Sequence, residues 1–271
     1  MKAIIFLVTL YKEVQKDDLI SAANDLTYKM LLSLFPLLIF FLSILSYFDV
    51  DASRIFLNIE HDIPGDVMTV ISPFLAEILE IKRPSVLSVS LIFTLYSAST
   101  GFIFVMKGIH KAYGEKDSRN FFTRRLVSVW LVFVFAVSIV LSMVMLIFNR
   151  LVQNFIIEQF PNLAFTAYLF SLLGYALTIL VLLISVLIIN RVSLAGKQGF
   201  KALLPGAVFT VVCWVLLSKG FNIYVNNFSR YSAVYGSVAG VMILMIWLNL
   251  MCAVLLIGSE INAMAKPTRE V

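Results

Sequence analysis

Runs of about 20 mostly apolar residues recur six times along the chain, with polar stretches between them. They lie at 27–48, 87–109, 126–148, 164–189, 203–224 and 234–257. At about 1.5 Å per helical residue, each run covers the ~30 Å hydrocarbon core of a bilayer. The last run is the plainest, with no charge from Val238 to Ile257. It opens on Gly236 and Gly240, four apart and so on one helix face, where a second backbone can approach closely. It closes on Gly258, Ser259, Glu260 and Asn262, where the apolar character stops. The pattern predicts an all-α polytopic membrane protein of six transmembrane helices, with residues 1–271 forming one integral membrane domain.

Two stretches are patterned differently. In 1–26, Ile4, Ile5, Leu7, Val8 and Tyr11 precede Lys12, Glu13, Lys16, Asp17 and Asp18. The apolar run is short and no small-residue cleavage site follows it, which predicts an N-terminal interfacial helix rather than a cleaved leader. In 50–86, apolar residues recur at helical spacing around a Pro64-Gly65 break, with Glu60, Asp62, Asp66, Glu77 and Glu80 on the polar side. That predicts an outside-facing amphipathic helix pair.

Composition agrees with a membrane protein: 61% of residues are hydrophobic, 14% are charged and the mean hydropathy is +0.96. The net charge of +5 would suggest nucleic acid in a soluble protein. In a membrane protein, basic residues chiefly set orientation. Lys and Arg crowd the N-terminal segment, the second and fourth connections and the tail, whereas Arg54, Lys82, Arg83, Arg150, Lys219 and Arg230 fall on the other side. The positive-inside rule then places both termini in the cytoplasm. Cys213 and Cys252 lie in apolar spans at different depths and are expected as packing residues, not as a disulfide.

Ionisable residues sit at span ends, among them Asp25, Lys29, Lys107, His110, Arg191 and Glu260. A carrier built on a midplane carboxylate is therefore disfavoured. Ser90, Thr94, Ser97 and Gly101 share a face of the second span, with Ser99 and Thr100 beside them. Such a stripe borders a polar path or, more commonly, packs against another helix. In the first span Pro36 removes one helical hydrogen bond beside Ser33. Arg230 outside, and Arg124 and Arg125 inside, are candidate contacts for anionic headgroups. His61 and His110 fall on opposite sides and in no metal-ligand spacing, no glycine loop cradles phosphate, and no serine sits in a nucleophile elbow. Neither a cofactor nor a metal is expected.

Several segments together resemble a known family. SAANDLTYKMLLSLFPLLIF (21–40), YSASTGFIFVMKGIHKAYG (96–114) followed by Arg124, LPGA (204–207) with Trp214 and Tyr224, and YGSVAG (235–240) with Trp247 and GSEINA (258–263) resemble the YihY/BrkB family of bacterial inner-membrane proteins. Asn249 and Ser259 depart from its pattern, standing where an aromatic and an alanine are usual. The family once carried a ribonuclease BN label. Hydrolysing RNA calls for a metal cluster or an acid-base pair at one membrane face, and the sequence offers neither. What the resemblance implies is a transporter, with some members tied to export of envelope lipid.

The sequence reading is thus a bacterial inner-membrane protein, not an enzyme, that translocates a lipid or other amphipathic anionic envelope component and has no ATPase of its own. Its partners are membrane lipids and not nucleic acid. The alternative is a scaffold that holds envelope-assembly enzymes or its own copies, in which the small-residue faces of Gly236 and Gly240 are packing surfaces. A membrane-bound ribonuclease stands third.

Overall fold

The computed structural model describes residues 2–45, 84–159, 164–196, 198–227 and 237–265. Within them every regular element is a helix: α1 (Lys2–Lys16), α2 (Leu19–Leu45), α3 (Pro84–Ala112), α4 (Phe121–Gln159), α5 (Ala164–Ser193), α6 (Phe200–Asn227) and α7 (Ser237–Met264). Most of the 50–86 segment, Arg230 and Gly236 lie outside the described residues.

Five helices, α3 to α7, are long and apolar enough to cross a membrane. The expected first span falls on α2, which continues as helix through Pro36. Several helices outrun their apolar cores. α4 has 39 residues, about 58 Å of helix at ~1.5 Å each, and its last three turns carry Arg150 and Glu158 beyond the apolar stretch.

Neighbours in sequence are neighbours in space. α2 packs on α3, α3 on α4, α4 on α5, α5 on α6 and α6 on α7, and α7 returns to α2. α3 also touches α5 and α7, while α1 lies across α2 and α7.

Burial is lopsided along the helices. On α2 the buried positions are Leu19, Ala23, Leu26 and Thr27, whereas Tyr28, Leu32 and Leu37 are exposed. On α6, Leu203, Ala207 and Val211 are buried, but Val212, Leu216 and Ile223 are not. α7 repeats this in reverse order, exposing Val241, Met245 and Leu250 and burying Cys252, Leu256 and Ala263. One end of the bundle is therefore a close-packed core around Met106, Ile109, Ile189 and Leu256. The other end splays and presents apolar side chains outward, the surface that suits hydrocarbon rather than water.

Polar side chains stitch the packed end. A Cβ on Gly206 would stand 1.8 Å from the Gly258 carbonyl oxygen, and one on Gly258 would stand 2.1 Å from Thr210 Oγ1, so α6 and α7 cross where only glycine fits. Asn262 Oδ1 accepts from the Gly206 N–H at 2.6 Å, and its Nδ2 donates to the Leu203 carbonyl at 3.0 Å. Ser259 Oγ donates to Asn190 Oδ1 at 2.7 Å. Asn249 Nδ2 donates to Asn24 Oδ1 at 2.7 Å, joining α7 to α2. At the splayed end Asn149 fills the notch at Gly174 between α4 and α5, and nearer the core Trp214 Nε1 donates to the Met251 carbonyl at 2.9 Å.

Candidate functional site

The reversal between α3 and α4 is built from local rules. Gly114, at φ 62°, ends α3 with its own N–H on the Lys111 carbonyl and the Glu115 N–H on the His110 carbonyl, the left-handed cap that glycine favours. Asn120 starts α4 by accepting the Thr123 N–H at 2.8 Å. Between the caps, Asp117 accepts the Arg119 N–H at 3.1 Å and Arg124 Nε at 3.0 Å. Arg119 meanwhile reaches the Val192 carbonyl at the end of α5.

Those caps fix Arg125, one turn into α4. Its Nη1 donates to Ser99 Oγ at 2.8 Å, Thr100 Oγ1 at 3.0 Å and the Tyr96 carbonyl at 3.4 Å, all on α3. The hydroxyl protons of Ser99 and Thr100 point to that same carbonyl, at 2.9 Å each, which turns their lone pairs towards the guanidinium. The guanidinium also lies over the Tyr96 ring, 4.3 Å from its centroid. Its Nε and Nη2 make no hydrogen bond among the described residues, and Arg125 is half-buried. Beside it Phe121, Phe122 and Leu126 are exposed. A rigid cation with a free donor edge thus stands where the polar loop gives way to the apolar face of α4.

The other expected site residues divide among different surroundings. Ser90 and Thr94 are buried, and Thr94 Oγ1 has no hydrogen-bond partner among the described residues. Ser97 is half-buried. Gly101 faces α2, where a Cβ would meet Met30 Cγ at 3.8 Å, whereas Ser33 Oγ turns back on its own helix and donates to the Met30 carbonyl at 2.7 Å. Pro36 lies one turn further along α2. Arg124 is engaged with Asp117 and with the carbonyls of Asp117 and Arg119. Gly240 is exposed, and among the described residues nothing stands where a side chain would go.

Asp117, central to the reversal, escaped the sequence reading, and Glu260, read as a polar cap, is fully buried. Glu260 and two acids of α1, Glu13 and Asp17, each bring a carboxylate oxygen within 4.8 Å of the others. Acids so close settle only with cations or protons among them, and Glu13 takes Lys16 Nζ at 3.1 Å. Partial burial pushes the Asp117 carboxyl up. The Arg119 N–H, His110 and Arg124 outweigh that and hold it below the usual carboxylate value. Burial, then Glu115 and Glu260, push the Tyr113 phenol well above its ordinary value.

Comparison with known proteins covers nearly the whole chain. The sequence model of the virulence factor BrkB family matches residues 10–270. YfkH, a ribonuclease-like protein of Bacillus subtilis strain 168, is 29% identical over 259 residues, which span 96% of this chain and 94% of YfkH. A UPF0761 membrane protein of Pseudoalteromonas translucida is 39% identical over 71 residues, 26% of this chain and 24% of the relative. Another, of Photobacterium profundum, is 37% identical over 67 residues, 25% of this chain and 21% of the relative. No solved structure matches.

Proposed function

The chain belongs to the virulence factor BrkB family, and from there we propose that it is a six-span inner-membrane translocase of a lipid or other amphipathic anionic envelope component. The packed end faces the cytoplasm with both termini. That assignment is supported by Lys29, Lys107, Lys111, Arg119, Arg124, Arg125 and Arg191, all of which gather there. The protein hydrolyses no nucleotide. YfkH's ribonuclease-like name is that protein's own, and this reading contains no bond-breaking step.

The observation that carries the proposal is Arg125. Its guanidinium is held on α3 hydroxyls and a tyrosine face, and its remaining edge suits two oxygens of a phosphate. It stands at the foot of the exposed apolar face of α4, where a headgroup is caught while its acyl chains stay in hydrocarbon. Fluorescent anionic lipid in vesicles that contain the purified protein tests this. Lipid should cross faster than in protein-free vesicles, and Arg125→Ala should slow it severalfold. Equal rates with and without protein, under any ion gradient, would remove the proposal.

The second reading, a scaffold, is favoured by Gly240, whose exposed face has room for another backbone. Under it Gly236 and Gly240 join copies of this chain or an envelope-assembly partner. A Gly240→Leu variant that loses a defined oligomer yet keeps its fold supports the scaffold.

A further inference from the structure

We infer that a second basin, distinct from the Arg125 edge, binds a phosphate group. The last turns of α3, the loop 113–120 and Arg124 of α4 line an open basin of about 340 Å³, which is at the small end of ligand-sized sites. Lys107, His110, Lys111, Lys116 and Arg124 supply its basic wall.

Pairing within the wall separates holding groups from receiving ones. Arg124 is tied to Asp117 at 3.0 Å, and Lys111 to the Asp18 carboxylate at 3.2 Å. Lys107 and Lys116 are exposed at the rim, and Lys107 lies 4.7 Å from the Phe104 ring centroid. His110 Nδ1 stands 2.8 Å from the Met106 carbonyl oxygen, which can only accept, so Nδ1 carries the proton and Nε2 keeps a lone pair that can take only a ligand's O–H. Two ammonium groups that converge from one helix and one loop suit an anion with several acceptor oxygens. Two acids also line the basin and temper the affinity: Asp117, already paired with Arg124, and Glu115.

Position bears on the source of the phosphate. Lys107 and Lys111 lie seven and eleven residues past Thr100, the level of Arg125, which is about 10 to 16 Å further along α3 at ~1.5 Å per residue. The headgroup layer beyond the hydrocarbon is only about 5–8 Å deep on each side. A phosphate on a water-soluble molecule reaches the basin directly. A lipid headgroup reaches it only if drawn outward.

The inference does not require anything to be translocated, so it survives or fails apart from the lipid-crossing assay. The full chain is placed in phosphatidylcholine nanodiscs, and its unfolding temperature is followed against pyrophosphate, with sodium chloride at matched ionic strength. A saturable rise is expected. Lys107→Ala with Lys116→Ala should weaken it about tenfold or more, as the loss of charged contacts implies. Lys201→Ala with Lys219→Ala should leave it unchanged. Glu115→Gln should tighten it, a gain that damaged folding cannot mimic. A second arm adds phosphatidic acid to the discs. If the lipid itself fills the basin, it raises the unfolding temperature of the wild type but not of the Lys107→Ala/Lys116→Ala variant, and the pyrophosphate response disappears. No saturable response in either arm overturns the inference, and so do equal responses from the wild type and the double-lysine variant.

Discussion

Removing Arg125 tests whether the α3–α4 contact is the energetic unit that its geometry suggests. Two hydroxyls receive the guanidinium at 2.8 and 3.0 Å, and the Tyr96 ring supports its face. Hydrogen bonds between membrane helices average about 0.6 kcal/mol and reach about 1.7, and a partly exposed cation over a ring adds about 0.5–1 kcal/mol. Arg125→Ala should therefore cost about 2–3 kcal/mol. Ser99→Ala removes one acceptor and should cost about 1 kcal/mol. Because both changes break the same bond, the double variant should fall short of the sum by about 1 kcal/mol. The three tryptophans report equilibrium unfolding in mixed micelles, where all four proteins are compared. Arg125→Lys keeps the charge but loses the planar fork, and its cost should lie between those of wild type and alanine. If the two single changes add within about 0.3–0.5 kcal/mol, the bond contributes nothing and the site loses its rigid cation.

Gly206→Leu and Gly258→Leu each drive a side chain into a backbone or hydroxyl oxygen about 2 Å away. Each should cost about 3 kcal/mol or more and abolish the monodisperse peak in size-exclusion chromatography. Gly101→Ala meets only Met30 at 3.8 Å and should shift stability by no more than about 0.5 kcal/mol in the same unfolding assay. Asp117 has a folded pKa held below its ordinary 3.8, so its contribution to stability is present above that value and is lost as pH falls through the lower folded one. Asp117→Asn should flatten the acid limb of the stability-pH curve below about pH 4, and an unchanged limb counts against the pinning of the loop by Asp117.

Five spans, α3 to α7, were legible because an apolar run long enough to cross a membrane needs no partner to be recognised. What each face of a run meets was not legible. Apolar composition is the same whether a side chain touches lipid or another helix, so Met106 and Leu216 read alike although one is buried and the other bare. Two of the segments that carry the family resemblance are packing devices at one end of the bundle: Gly206 of LPGA stands against Gly258 of GSEINA, with Asn262 bracing both. Asn249 and Ser259, which depart from the family pattern, are hydrogen-bonded to Asn24 and Asn190. Such pairings join residues far apart in sequence, and no local spacing announces them. Arg125 was visible as a basic residue in a connection. That Ser99 and Thr100 hold it, rather than line a path with Ser97, depends on how far α3 runs on beyond the start of α4.

The packed end also constrains any route for a lipid. A path through the centre would have to part Leu19, Leu26, Met106, Ile109, Ile189, Leu203 and Leu256, all essentially without solvent contact. Burying a large apolar side chain is worth about 1.5–3 kcal/mol, so exposing these seven to water costs about 10–20 kcal/mol. A minor state in a working equilibrium lies only a few kcal/mol up. The polar stitches are cheap to break, at about 0.5–1.5 kcal/mol each, so the core sets the barrier. Under the proposed translocase reading, a headgroup would therefore travel along the surface of α3 and α4, from Arg125, while the packed end stays shut. Locking that end tests this directly. Asp18 and Lys111 are exposed partners 3.2 Å apart, and Asp18→Cys with Lys111→Cys, in a chain whose two native cysteines are alanine, can be bridged by a reducible bis-thiol reagent. The bridged protein should move lipid as fast as the reduced one. A block that reduction relieves would show that the bundle opens through its core and would refute the surface route.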